Sequence, residues 1–371
     1  MLKLTCDQAQ TAEALAHLAS VASTRSPNPI VLNVRIAAAD GRVTFYATDF
    51  ERSLRFTIEG VQVDSPGEIC LPAKRLSDSV RVLDKTVPLV INETKEGAEV
   101  ISGRTRFAIR GQDPADFPAF PEFNDAEAFE LPAKDLAYMI DMVRFAIAPE
   151  RTRYSLNGVL FEVRKDELTL VGSDGKRLAM LSHAYHIGKD YQAHIIAPRA
   201  GLELVSWICG GADTVWLQIQ ENQMLARTQH AVVSTQLVAG LYPAFRQVLP
   251  DEAKLDKKAV IKRDSFATHL RRAQQFTSDE SRSVRFAFGS NRLTMTSRSP
   301  DEGEAEVEMD IEYVAPELEV GFDPQFVSDV LKVLETDDVV LNMKDPDSAG
   351  IIRQDKDGFR YLYLVMPTEL G

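Results

Sequence analysis

The chain has 371 residues, of which 44% are hydrophobic and 26% are charged. This composition excludes a disordered, collagen-like or low-complexity protein, and the length predicts two or three domains. The formal net charge of −13 argues against a protein that is basic throughout, although it does not say where the charges lie.

No apolar run approaches the roughly 18 residues of a membrane helix, and the first residues lack the apolar segment of a signal peptide. Cys6, Cys70 and Cys209 are far apart and have no metal-ligand spacing. We therefore expect three buried thiols in a cytoplasmic protein, with no metal and no cofactor.

The first third of the chain sets out a series of elements. Residues 7–22 have a helical pattern, with Asp7 as a candidate N-cap. Residues 34–49 predict two strands joined by a tight turn at Asp40-Gly41. A second helical pattern follows Pro72, and proline is favoured in the first turn of a helix.

The same series recurs twice further along the chain. Helical patterns cover 133–148 and 264–278, with Asp264 as a second candidate N-cap. Hairpin patterns cover 158–174 and 284–299. Pro198 and Pro324 follow Pro72 at equal intervals of 126 residues and also precede helical patterns. A repeat of this length indicates duplicated domains.

We therefore predict an α+β protein of three tandem similar domains, each with two helices on antiparallel sheet. The predicted boundaries give domains over 1–125, 126–253 and 254–371, because the chain is polar and rich in turn residues near both boundaries. Three unlike domains remain the alternative.

Catalytic motifs are absent from the sequence. It has no phosphate-binding loop, Gly-x-Ser-x-Gly or His-Glu-x-x-His pattern. His183 and His186 lack a third metal ligand. Asp49 and Asp174 follow the hairpins of two repeats, and a turn-stabilising role explains them better than catalysis does. We predict that the protein is not an enzyme.

Lysine and arginine occur on most of the predicted helices, although the first helix has none. Acidic residues concentrate elsewhere, as in residues 301–306. Such segregation is what a locally basic surface on an acidic protein requires, and a solvated helix face is the alternative interpretation.

Four ordered motifs give the chain a family resemblance. They are Arg153-Tyr154-Ser155-Leu156-Asn157-Gly158, Ser173-Asp174-Gly175-Lys176-Arg177-Leu178, Tyr242-Pro243-Ala244-Phe245-Arg246-Gln247-Val248 and Tyr363-Leu364-Val365-Met366-Pro367. With the threefold duplication, these motifs resemble those of the bacterial DNA polymerase III β subunit, the replicative sliding clamp, over essentially the whole chain.

The resemblance implies a ring of two identical chains with helices lining the hole. Such a ring encircles double-stranded DNA without reading its sequence and acts as a processivity factor. It implies partners that bind by short peptides: the DNA polymerase III catalytic subunit, the clamp loader and other proteins with a clamp-binding motif. No membrane partner is expected.

The resemblance also implies three sets of site residues. The candidate DNA contacts are Arg25, Lys74, Arg75, Arg153, Tyr154, Arg271 and Arg272. The candidate peptide pocket comprises Leu156, Ser173, Lys176, Leu178, Pro243, Val248, Phe326, Leu364, Met366 and Pro367. The candidate dimer interface comprises Arg104, Arg106, Phe107 and Ile109 on one edge and Phe276, Glu302 and Glu304, with Asp301 and Glu306 nearby, on the other.

Strand alternation predicts that Phe107 and Ile109 lie on one face, with Arg104 and Arg106 on the other. Lys176 stands where the family often has histidine, and Gln275 where it often has an apolar residue. The alternative function is a small-molecule-binding or catalytic protein on the same threefold scaffold. That alternative predicts a buried polar constellation in one repeat only.

Overall fold

A computed structural model describes residues 1–22, 25–149, 154–188, 192–277 and 282–369, and only the backbone of Tyr154 and Glu252. Its elements form three successive series of the same order. The first series comprises β1 (Lys3–Cys6), α1 (Gln8–Val21), β2 (Asn33–Ala39), β3 (Arg42–Thr48), β4 (Arg52–Glu59), β5 (Gln62–Ser65), β6 (Gly67–Pro72), α2 (Ala73–Arg81), β7 (Leu89–Thr94), β8 (Gly97–Ser102) and β9 (Thr105–Arg110).

The other two series repeat this order with small differences. The second comprises β10 (Ala128–Pro132), α3 (Ala133–Val143), β11 (Gly158–Arg164), β12 (Glu167–Ser173), β13 (Arg177–His183), β14 (Ala193–Pro198), α4 (Arg199–Cys209), β15 (Thr214–Ile219), β16 (Gln223–Arg227) and β17 (Ala231–Gln236). The third comprises β18 (Lys257–Lys262), α5 (Arg263–Ala273), β19 (Val284–Gly289), β20 (Arg292–Ser299), β21 (Gly303–Asp310), β22 (Glu312–Tyr313), β23 (Leu318–Phe322), α6 (Pro324–Val333), β24 (Asp338–Met343), β25 (Gly350–Lys356) and β26 (Phe359–Val365).

One of the two predicted helix N-caps is confirmed. Asp7 caps α1, since its carboxylate accepts a hydrogen bond from the Gln10 N–H at 2.7 Å. The prediction that Asp264 caps α5 is wrong. Strand β18 runs directly into α5, which begins at Arg263, and the Arg263 N–H donates to the Asp337 carbonyl at 2.8 Å. Asp264 therefore lies in the first helical turn.

The equally spaced prolines mark the second helix of each series. Pro72 and Pro198 end strands directly before α2 and α4, whereas Pro324 is the first residue of α6. The predicted hairpins are confirmed as well. Asp40 and Gly41 have φ of 51° and 72°, the left-handed conformation that a two-residue hairpin turn requires.

The described residues form two compact units. The first unit, residues 1–137 with 200–237, contains an eight-stranded sheet in the order β10-β15-β16-β17-β4-β3-β2-β6 and a five-stranded sheet in the order β5-β1-β7-β8-β9. The second unit, residues 138–199 with 238–371, contains a nine-stranded sheet in the order β14-β11-β12-β13-β26-β25-β24-β18-β22 and a four-stranded sheet in the order β21-β20-β19-β23.

Each large sheet combines strands of two neighbouring series. The strand that follows the predicted hairpin, here called the following strand, is β4, β13 or β21. The last strand of each series, here called the closing strand, is β9, β17 or β26. Antiparallel pairing of β4 with β17 joins the first two series, and pairing of β13 with β26 joins the last two.

These joints explain why the two units do not coincide with the three repeats. Both units take strands from the second series. The boundaries after residues 125 and 253 stay a prediction. They fall in the short 3₁₀ turns Asp125–Glu127 and Glu252–Lys254.

The acidic turns before the following strands have a structural role, as predicted. The Asp49 carboxylate accepts the Glu51 and Arg52 N–H groups at 3.0 and 2.6 Å. The Asp174 carboxylate accepts the Lys176 and Arg177 N–H groups at 2.9 and 3.0 Å. The two turns therefore have the same backbone geometry.

Arg177 is a buried cation that ties the second and third series together. Its guanidinium contacts the carboxylates of Asp174 at 3.0 Å and Asp329 at 2.8 Å and donates to the Phe145 carbonyl at 3.0 Å. Burial raises the pKa of the Asp329 carboxyl, but hydrogen bonds from Arg177 and Lys332 outweigh burial and leave that pKa lowered. The carboxylate therefore stays charged beside Arg177.

Arg177→Ala is expected to lower the stability of the second unit by about 2–4 kcal/mol, because Asp329 would lose its buried partner. Lys332→Ala is the matched control. Lys332 pairs with the same carboxylate from an exposed position, so its loss should cost about 0.5 kcal/mol or less. Calorimetric unfolding would compare the two, and equal effects would contradict this account of Arg177.

Because the folded-state pKa of Asp329 is lowered, the ion pair stabilises the fold above the ordinary range of aspartate. This contribution is lost as the pH falls through the lowered pKa.

Candidate functional site

Part of the candidate peptide pocket lies on one buried cluster in the second unit. Leu156, Leu178 and Leu364 pack together there, with Tyr242 and Phe245. Leu178 and Leu364 are opposite each other across the β13–β26 joint. The joint that connects the second and third series therefore supplies the apolar floor of this region.

The rim of the same region carries five further candidates. Met366 and Val248 are 40% and 58% exposed, which is unusual for large apolar side chains. Lys176 and Pro243 are also exposed, and Pro367 is half-buried. The Met366 N–H donates to the Lys176 carbonyl at 2.8 Å, so the backbone places these two rim residues together.

Phe326 does not belong to this cluster. Its ring lies 4.4 Å from the Arg177 guanidinium, and its carbonyl accepts the Tyr363 hydroxyl at 2.8 Å. Arg177 and Tyr363 precede Leu178 and Leu364 in their strands, so they point to the opposite sheet face. The structure thus places Phe326 beside Arg177 rather than in this buried cluster, and its role in the pocket stays a prediction.

Ser173 shares the face of Leu178, its register partner, and is mostly buried. Its hydroxyl donates to the Arg177 carbonyl at 2.7 Å and accepts the Gly175 N–H at 3.1 Å. Ser173 thus fixes the turn that carries Lys176. Sequence analysis missed Arg177 as a positioning residue, although its spacing from Asp174 matches that of Arg52 from Asp49.

The candidate DNA contacts lie on or beside helices. Lys74 and Arg75 are exposed in the first turn of α2, and Lys74 contacts Asp78 at 3.2 Å. Arg271 and Arg272 are exposed in the last turn of α5. Arg25 is exposed just beyond α1. Arg153 and the side chain of Tyr154 lie outside the described residues.

Charge is segregated between the helices and the rest of the chain. The six α-helices of the described ranges carry nine Lys and Arg against seven Asp and Glu, a formal charge of +2. The rest of the sequence carries −15, since the whole chain carries −13. Helix α1 has no lysine or arginine. Its His17 ring stacks on the Trp207 ring, with 4.0 Å between the ring centroids.

The two candidate interface edges are the outer strands of the smaller sheets. Strand β9 ends the five-stranded sheet and β21 ends the four-stranded one. On β9, Phe107 is half-buried and Arg106 is exposed, where it forms an ion pair with Glu99. Along β21 the exposed residues after Gly303 are acidic and alternate with inward apolar ones; the acidic ones are Glu304, Glu306, Glu308 and Asp310.

The strand placement of Arg104 needs correction, and the interface role of Ile109 stays a prediction. Arg104 lies in the turn between β8 and β9, so it does not share a strand face with Arg106. Ile109 is only 6% exposed within its own chain, where it faces the core. Asp301 and Glu302 lie in the turn before β21, and Phe276 is half-buried beside Gly303 at the start of that strand.

The three cysteines are buried and unbridged, and burial raises the pKa of each thiol, to about 11 for Cys6 and about 12 for Cys70 and Cys209. Over the ranges that the structure covers, no three His, Cys, Asp or Glu side chains are grouped so that they could hold a metal ion. Within the same ranges, no helix has the length and apolar character needed to cross a membrane.

Comparison with known proteins gives a consistent result along the whole chain. Residues 2–121, 130–244 and 246–369 match the family models of the N-terminal, central and C-terminal domains of the DNA polymerase III beta subunit. The sequence is 31% identical to the beta sliding clamp of Escherichia coli K12, with 100% of both chains covered. It is 28% identical to the beta sliding clamp of Chlamydia pneumoniae, with 100% of this chain and 99% of that one covered.

Solved structures agree with these matches. A sliding clamp (DNA polymerase III subunit beta) from Bartonella birtlesii, crystallised with griselimycin, has a TM-score of 0.90 and 28% identity over 100% of both chains. The DNA polymerase III beta subunit of Thermotoga maritima has a TM-score of 0.88 and 26% identity, again over 100% of both chains.

Proposed function

The chain belongs to the family of DNA polymerase III beta subunits, the beta sliding clamps, and we propose how its own residues close the ring, face DNA and hold partners. A sliding clamp is a non-catalytic processivity factor, so the catalytic alternative raised by the sequence does not apply. The family acts in DNA replication, and we propose that this member acts in the cytoplasm.

The observation that carries the proposal for ring closure is a missing strand pairing. Two following strands, β4 and β13, pair with the closing strand of the next series. The third following strand, β21, and the first closing strand, β9, end their sheets. Pairing β21 of one chain with β9 of a second chain would complete the pattern and close a ring of two chains.

The two observed joints predict the register of this third pairing. Counted from the start of each strand, the first joint pairs the third residue of β17 with the third of β4, Val233 with Leu54. The second joint pairs the third residue of β26 with the fifth of β13, Tyr361 with Leu181. In the proposed interface Phe107 would therefore lie opposite Ala305 or Val307.

Either register places apolar residues opposite each other and opposite charges opposite each other. Arg106 would lie opposite Glu306 in the first register and opposite Glu308 in the second. A slip by one residue would instead place arginine against the apolar face. Phe107 and Phe276 would supply apolar contact near the seam, while the charged rows would set register and speed association.

We expect Phe107→Ala or Phe276→Ala to shift the dimer toward monomers, because each removes apolar contact at the proposed seam. Sedimentation at nanomolar concentrations would measure the shift. Val314→Ala is a suitable control, because this side chain is fully exposed. Phe359→Ala would be unsuitable, because Phe359 is buried.

Charge reversal gives an independent prediction for the same seam. Arg104→Glu combined with Arg106→Glu should dissociate the dimer more at low salt than at high salt, since salt screens like-charge repulsion. Dimers as stable as wild type in all these variants would place the interface elsewhere.

For DNA, the proposal is weak electrostatic attraction to the phosphate backbone. The positive charge of the helices would keep duplex DNA centred in the hole, and the acidic remainder would limit binding elsewhere. We propose Arg25, Lys74, Arg75, Arg271 and Arg272 as contacts, together with Arg153 and Tyr154. Contacts to phosphate carry no sequence information, which suits a clamp that slides.

The ring should remain on closed circular DNA and slide off once the circle is cut. Arg25→Ala and Tyr154→Ala should lower direct DNA affinity and loading without dissociating the dimer, and wild-type binding should weaken steeply with salt. Arg164→Ala, at an exposed strand arginine, is the control. Retention on linear DNA, or a strong preference for one sequence, would contradict the proposal.

For partners, we propose that short peptide segments of the polymerase, the clamp loader and similar proteins bind the apolar cluster beneath Met366 and Val248. A buried aliphatic floor with an exposed, flexible methionine at its rim suits insertion of apolar peptide side chains. Ser173, Lys176, Pro243 and Pro367 would border the peptide. Phe326 would act through Arg177.

Met366→Ala should weaken binding of a polymerase tail peptide by about 1–3 kcal/mol and leave stability nearly unchanged. Leu178→Ala should also weaken binding. Because Leu178 is buried in the core cluster, that variant should in addition lose about 2–4 kcal/mol of folding stability. Calorimetric titration beside thermal unfolding separates the two effects. Unchanged peptide affinity in the Met366 variant would place the pocket elsewhere.

A further inference from the structure

Phe50 combines two features that rarely occur together. Its backbone has φ of 72°, in the left-handed region that bulky residues seldom adopt. Its side chain is 53% exposed, so burial of the ring does not compensate for this conformation. An exposed aromatic residue in a strained turn calls for an explanation other than packing.

The turn holds Phe50 firmly. Its N–H donates to the Thr48 hydroxyl at 3.0 Å, and its carbonyl accepts the Gln236 side-chain amide at 3.0 Å. The next residues are fixed by Asp49, whose carboxylate accepts two backbone N–H groups and pairs with Arg52 at 2.7 Å. The backbone that carries the ring is therefore fixed before any partner binds, which favours use as a binding anchor.

Comparison with the equivalent turn of the second series shows that the fold does not require an aromatic residue here. The Ser173–Arg177 turn has the same hydrogen bonds, and glycine, Gly175 with φ of 89°, stands where Phe50 does. Both turns also accept a backbone hydrogen bond from the end of a closing strand. The Gln236 N–H donates to the Glu51 carbonyl, and the Met366 N–H donates to the Lys176 carbonyl. Phe50 is thus the equivalent of a residue in the turn that borders the proposed pocket.

We propose that Phe50 is a second anchor for the replicative polymerase, inserted into an apolar pocket of the polymerase that is flanked by basic side chains. The inference rests on the proposed function, in which a tail peptide of the same polymerase occupies the Met366 pocket. Exposed Glu51 beside Phe50 favours a basic partner surface, and a polymerase that holds DNA has such a surface.

The test measures two affinities of the intact dimer: one for the full-length catalytic polymerase subunit encoded by the same genome, and one for a synthetic peptide of its tail. Phe50→Gly should weaken polymerase binding about tenfold and leave tail-peptide affinity unchanged. Because glycine suits this backbone conformation, the variant should unfold at a temperature no lower than wild type. Phe50→Tyr, which keeps the ring, should bind like wild type, as should the exposed-site control Val314→Ala.

Met366→Ala keeps this inference separate from the proposed pocket, since it should weaken both affinities. Unchanged tail-peptide binding in that variant would refute the pocket while leaving the Phe50 measurement intact. Wild-type polymerase affinity in Phe50→Gly would overturn the inference. Equal loss of tail-peptide binding in Phe50→Gly would also overturn it, because Phe50 would then act through the pocket.

Discussion

The joints of this architecture depend on one requirement: the outer edges of the following and closing strands must find partner strands. Each closing strand pairs within its own series along one edge only. Inside the chain this need is met twice, where β17 pairs with β4 and β26 pairs with β13. A linear chain of three such repeats necessarily leaves one following strand and one closing strand at its ends. Long exposed edges favour association, and here that tendency would serve the proposed assembly.

The turns before the following strands distinguish internal joints from the open one. At the internal joints, an aspartate and an arginine neutralise each other within the turn, as Asp49 does with Arg52 and Asp174 with Arg177. In the third series Pro300 and Asp301 begin the corresponding turn, and Gly303 stands where the arginine would be. The turn itself therefore offers Asp301 no arginine; along β21, Glu308 pairs with Arg292 at 3.1 Å, and a second chain is proposed to supply further arginines at this edge.

The sequence predicts those features that local chemistry determines. Hairpin turns need left-handed residues, which Asp40 and Gly41 provide, and the evenly spaced prolines mark the second helices because proline suits a helix start. The strands before the first helices, β1, β10 and β18, were not predicted, since four to six residues carry too short a periodicity. Pairing of β4 with β17 joins residues far apart in sequence, so no local pattern reveals it.

The candidate sites show the same contrast between features that local sequence determines and features that tertiary packing determines. Apolar residues of the pocket floor could be recognised from family motifs, and Leu156, Leu178 and Leu364 do form one cluster. The sheet face of Phe326 and the burial of Ile109 depend on tertiary packing, which no local sequence pattern reveals. Phe50 is the converse case: its exposure and left-handed backbone appear only in three dimensions.

The charge distribution follows from what a sliding ring must avoid as well as from what it must do. A tight grip on phosphate would oppose movement, since each neutralised phosphate adds to the affinity and to its dependence on salt. The helices carry only two net positive charges per chain, and Lys74 shares Asp78 with Arg81. Closure of the ring by paired edges would make retention topological, so weak attraction of DNA by the helices would suffice. Weak positive charge on the helices and ordered rows of charge along the edge strands would thus both serve the proposed ring.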